Sequence, residues 1–123
     1  MIKQLILVGI GGGVGSMLRF LVSALTSKYF HGTFPLATFV VNLCGCLLIG
    51  VLIGLLGRQS DPGGHLKFLL ITGFCGGFTT FSTFASENLQ LIHSQQGLLA
   101  FGYTAASVLL GICLVWMGMW VVK

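Results

Sequence analysis

Charge is almost absent from this chain, and its few polar stretches fall at regular intervals. Only 7% of the 123 residues are charged and 55% are hydrophobic, where a soluble domain carries about 25% charged residues. Polar connections at Ser27–Thr33, Arg58–His65 and His93–Gly97 leave four apolar segments, about 4–26, 35–57, 66–92 and 98–122. Roughly 20 apolar residues of helix cross a bilayer core. Hydrocarbon offers the backbone no hydrogen-bond partners, so each segment must satisfy its own as a helix. The sequence therefore predicts an all-α integral membrane protein: a single four-helix transmembrane domain over residues 1–123, with no length left for a soluble domain. The first segment is too long for a signal-peptide core and leads directly into a second.

The remaining composition excludes several classes. Six cations give a formal net charge of +4, but Lys3, Arg19, Lys28, Arg58, Lys67 and Lys123 are scattered singly, so no basic patch suits nucleic acid. Cys44, Cys46, Cys75 and Cys113 lie inside apolar segments without C-x-x-C spacing and read as small buried hydrophobes. His31, His65 and His93 fall in the connections and form no metal-ligand spacing. No catalytic constellation is present, and no enzymatic activity is expected. Four spans put both termini on one side, and the cation count favours the inside for them.

Within the apolar segments a few residues are not what a lipid-facing helix requires. Segment one carries small-xxx-small pairs (Gly9/Gly13, Gly11/Gly15, Gly12/Ser16), which let another helix approach closely. Arg19 lies deep in that segment and either snorkels toward its end or faces a cavity or partner. In segment two, Thr38 and Asn42 share a helix face, and Asn42 needs another helix or water beside it. Glu87 is the one acid inside an apolar segment, and Tyr103 and Ser107 share a face of segment four.

The densest departure is Gly73-Phe74-Cys75-Gly76-Gly77-Phe78-Thr79-Thr80-Phe81-Ser82-Thr83-Phe84. Glycines weaken a helix interior, and the spacing predicts a break in the third helix near 75–80. A break at membrane depth frees carbonyls that can face a cation and N–H groups that favour an anion. Phe81 and Phe84 share a face beyond it, and ring edges carry the positive part of the aromatic quadrupole. Asn42, Ser82, Thr83, Tyr103 and Ser107 are available donors, and no basic residue in the stretch would trap an anion. Back-bonded hydroxyls and lipid-facing rings would explain parts of this pattern but not its concentration beside Asn42 and Glu87.

These residues resemble the Fluc (CrcB) family of fluoride channels over nearly the whole chain. The likeness rests on Gly12-Gly13 with Arg19, on Asn42-Leu43 with Gly45, and above all on the Gly73–Phe84 string. It implies an antiparallel, dual-topology homodimer in the inner (plasma) membrane, with two pores along the dimer interface. Fluoride accumulated in the cytoplasm would leave passively through them. The implied pore residues are Asn42, Phe81, Phe84, Ser82 and Thr83, with Thr38, Tyr103 and Ser107 extending a polar track. Arg19 would be a vestibule or structural residue, and Glu87 would lie near a pore mouth. The resemblance also implies a structural Na+ at the dimer centre, held by the backbone carbonyls of Gly76 and Thr79. A rival reading is a small dual-topology proton-coupled exporter of cations, for which Glu87 is the only membrane carboxylate.

Overall fold

The computed structural model describes all 123 residues. Helix α1 spans Ile2–Tyr29 and α2 spans Leu36–Leu56. A π-helical stretch, Lys67–Cys75, continues into the short α3, Gly76–Phe78. Helix α4 spans Ser82–His93 and α5 spans Gly97–Val121. Four helical stretches are long and apolar enough to cross a membrane: 2–29, 36–56, 67–93 and 97–121. The expected all-α, four-span architecture is what the chain forms.

Local chemistry explains where these elements start and stop. Lys28 stands in the last turn of α1, where a cation suits the helix dipole, and the chain then turns extended at Phe30. Pro35, which has no N–H to leave unpaired, precedes α2. Gly63 and Gly64 take positive φ (86° and 68°) and bring Asp61 round to cap the third span. The Asp61 carboxylate accepts the amide protons of Leu66 (3.1 Å) and Lys67 (3.4 Å). Helix α4 ends in a left-handed turn at Gln95 (φ 63°), with the amides of Gln95 and Gln96 bonded back to Ile92 and Leu91. This paired pattern normally carries glycine at the left-handed position.

The helices assemble as two close pairs. Helix α1 lies against the π-helical stretch and α3, and α2 lies against α5. In the first pair backbone meets backbone: a Cβ on Gly15 would fall on the Phe74 carbonyl oxygen and 2.8 Å from the Phe78 amide nitrogen. In the second, Gly118 sits similarly against α2, where a Cβ would be 2.8 Å from the Val51 amide nitrogen. Helix α4 packs chiefly on α5, where Leu91, Ala100 and Tyr103 form a small core flanked by Phe34, Phe39 and Phe84.

Only 13 of the 123 residues are buried in the single chain. The apolar surface left over must face lipid or another chain, since patches of this extent do not persist against water.

Candidate functional site

Between α3 and α4 the backbone leaves the helix. Thr79 is extended (φ −82°, ψ 159°), and helical geometry resumes at Ser82. Peptide groups released at membrane depth are costly unless protein serves them, and here side chains from three directions do so. The Thr79 amide and hydroxyl both donate to the Cys75 carbonyl, at 3.0 and 2.8 Å. Arg19 Nε (3.2 Å) and Ser16 Oγ (3.4 Å) donate to the Gly77 carbonyl. Asn42 uses both ends of its amide on one residue: Nδ2 donates to the Thr80 carbonyl at 3.0 Å, and Oδ1 accepts the Thr80 amide proton at 2.8 Å. The Thr80 hydroxyl accepts the Thr83 amide proton at 3.3 Å, serving one of the first N–H groups of α4. The carbonyls of Gly76, Phe78 and Thr79 remain without a donor.

Of these residues, Gly76 and Thr79 line a groove of about 470 Å³. Asn42, Phe81, Phe84 and Ser107 line it too, and no basic side chain does. The Phe81 and Phe84 rings lie 5.9 Å apart, tilted by 42°. Phe84 is backed by Tyr103, with centroids at 5.0 Å, whereas Phe81 is 79% exposed. Ser107 Oγ is buried and has no hydrogen-bond partner. The groove is thus lined by two aromatic rings and by Ser107, whose buried hydroxyl is unpaired.

A second space, about 270 Å³, is more polar. Arg19, Ser16, Ser23, Thr38, Thr80 and Thr83 contribute to its lining. Thr80 lines both spaces, so the residue clamped by Asn42 stands where they meet. Glu87 lies to the side, on a third space of about 320 Å³ near the α1–α2 and α4–α5 connections. Each of its carboxylate oxygens accepts one hydroxyl proton, from Thr38 (3.0 Å) and from Tyr103 (3.1 Å). Helices α2, α4 and α5 are joined through this one carboxylate.

The residues singled out in the sequence therefore fall into three groups. Asn42, Gly76, Thr79, Phe81, Phe84 and Ser107 share the groove. Arg19, Thr38 and Thr83 share the polar space. Glu87 and Tyr103 belong to the junction linked by Thr38, with Tyr103 only 1% exposed. Ser82 is exposed at the start of α4 and lines none of the three spaces. Sequence reasoning gave no site role to Thr80 or Ser16, and it passed over Ser23. Thr80 carried a signal: the first polar residues after a helix break are those whose amides need partners.

The family described as CrcB-like protein, Camphor Resistance (CrcB), matches residues 6–119. A protein of Flavobacterium psychrophilum named fluoride-specific ion channel FluC is 50% identical over 121 residues, covering 98% of each chain. Proteins of the same name from Phocaeicola vulgatus and Azobacteroides pseudotrichonymphae are 47% and 46% identical, covering 96% of this chain in both cases and 97% and 94% of their own. The glycine-rich helix contacts and the interrupted third span thus lie within a match that runs almost end to end, and the chain belongs to the CrcB family.

Proposed function

We propose that this protein is a fluoride-selective channel subunit through which cytoplasmic fluoride leaves passively across the inner (plasma) membrane. The observation that carries the reading is the groove beside the interrupted third span. It combines two aromatic rings, an unpaired buried hydroxyl and no cation, and it abuts a polar space holding Arg19. The relatives' shared name points the same way.

Fluoride is small and strongly hydrated, so a selective path must replace its water with closely placed donors. The polar space supplies hydroxyls and the Arg19 charge, which raise the local anion concentration. Past Thr80, the positive edges of Phe81 and Phe84 face the anion, with Ser107 lining the groove beside them. With no fixed cation in the groove, binding stays weak enough for release, as conduction requires.

One chain supplies only one wall of this path, because Phe81 is largely exposed. A second copy, inserted antiparallel, closes the groove and generates two symmetry-related pores at the interface. Na+ fits the donor set at its centre. A hard cation takes oxygen ligands, and the Gly76 and Thr79 carbonyls are neutral oxygens with no competing donor. When bound, Na+ would supply positive charge that holds the two copies' carbonyls together.

The deciding measurement is efflux from liposomes loaded with fluoride or chloride. Purified, folded protein should release fluoride rapidly and chloride little. Absence of fluoride release from folded dimers would overturn the channel reading.

A further inference from the structure

Helix α4 carries Phe84 and is preceded by Phe81 at its N-cap, so it holds both groove rings, yet α5 is its principal neighbour. Two successive residues of α5 hydrogen-bond to two successive residues of α4. Tyr103 donates to Glu87 (3.1 Å), and Thr104 Oγ1 donates to Asn88 Oδ1 (3.0 Å). The second rung continues, for Asn88 Nδ2 donates to the Phe84 carbonyl one turn earlier, at 3.0 Å. That bond fixes which way the Asn88 amide points, leaving Oδ1 toward α5. A helical threonine ordinarily donates to a carbonyl of its own preceding turn; Thr104 instead donates across to α4. Thr104 is exposed and Asn88 half-buried, so in the membrane each is the other's best polar partner.

Adjacent residues on a helix point about 100° apart. One rung would let α4 roll about the bond, whereas two rungs in different directions resist rotation. Rotation matters here because side chains extend some 5–6 Å from a helix axis. A roll of about 20° would carry the Phe81 and Phe84 rings through about 2 Å, several times the roughly 0.5 Å tolerance of a functional contact.

We propose that Asn88 and Thr104 form a positioning pair that, together with Glu87–Tyr103, fixes the rotation of α4 and so the placement of Phe81 and Phe84. The flux consequence rests on the channel reading above; the consequence for α4 does not.

The test compares Thr104→Val, which removes the hydroxyl and keeps the shape, with Thr104→Ser, which keeps the hydroxyl. Asn88→Leu and the double variant complete the set, all as full chains in liposomes. Three quantities are read: fluoride efflux, the fluoride-to-chloride flux ratio, and amide hydrogen exchange over residues 82–93. Thr104→Val should lower fluoride efflux about threefold to tenfold, the range expected for losing one interhelical hydrogen bond in a membrane. It should also lower the flux ratio and speed exchange across α4, while exchange in α5 and dimer elution stay unchanged. Thr104→Ser should match the parent protein, and adding Thr104→Val to Asn88→Leu should change nothing further.

A general loss of stability would reduce the number of active channels without moving the flux ratio, so an unchanged ratio overturns the proposal. Thr104→Ser behaving like Thr104→Val overturns it as well. If the parent protein carries no fluoride, the channel reading falls alone, and faster α4 exchange in Thr104→Val still supports the pair while equal exchange overturns it. Should Thr104→Val fail to fold, Thr104→Ala and Asn88→Ala make the same comparison.

Discussion

Asn42 does two jobs that its sequence position hints at only vaguely. Its amide replaces the two backbone partners that Thr80 loses where the helix stops, and its side chain also lines the groove. Asn42→Ala should therefore lower stability by about 1–3 kcal/mol, the cost of leaving buried backbone groups unpaired. A shifted unfolding midpoint in a denaturant titration would read this, and fluoride efflux should fall with it. The two rings separate stability from transport. Phe81 is 79% exposed in one subunit, so Phe81→Ile should barely change subunit stability while reducing fluoride flux. Phe84 packs on Tyr103, so Phe84→Ile should reduce flux and also lose an aromatic contact of about 0.5–1.5 kcal/mol. Efflux and unfolding measured on the same preparations distinguish the two patterns, and normal flux in both variants would remove the rings from the path.

At the scale of elements, the glycines of α1 act by what they lack. The small-xxx-small pairs read from the sequence announce close packing, but they do not name the helix that approaches. In the folded chain that helix is the π-helical stretch and its continuation, and Gly15 rests on their peptide groups. Gly15→Ala would set a methyl against a carbonyl and an amide that cannot move aside. It should destabilise by about 1–3 kcal/mol, as overpacking does, seen as a lower melting temperature in detergent. Gly9→Ala is the control, since a Cβ there meets nothing within 4 Å. Arg19 was open to snorkelling or to an inward role; its bond to the Gly77 carbonyl ties it to the interruption.

At the scale of the whole molecule, most of what a span presents is not used inside the subunit. Between 11% and 17% of each span's most apolar window is buried within the single chain. Gly76 tests what covers the rest. A Cβ at Gly76 meets nothing within 4 Å, so Gly76→Ala should leave the subunit's fold and melting temperature intact. If a second copy seats against the interruption, the same variant should shift the protein from dimer toward monomer in size-exclusion chromatography with light scattering. An unchanged dimer would place the interface elsewhere.

Four membrane helices were fixed by composition and spacing alone, because a nearly uncharged 123-residue chain with three polar connections has no other way to satisfy its backbone in lipid. Family membership was equally legible, since the Gly73–Phe84 string is an unusual run of residues in a fixed order. Which groups meet was not. That Asn42 reaches Thr80, that Glu87 gathers Thr38 and Tyr103, and that Thr104 turns from its own helix to Asn88 all depend on how α2, α4 and α5 lie against one another. Helical periodicity gives the face a residue occupies, but the partner across that face is chosen by tertiary packing: glycines let the backbones of α2 and α5 touch, and side-chain bonds hold α4 to α5.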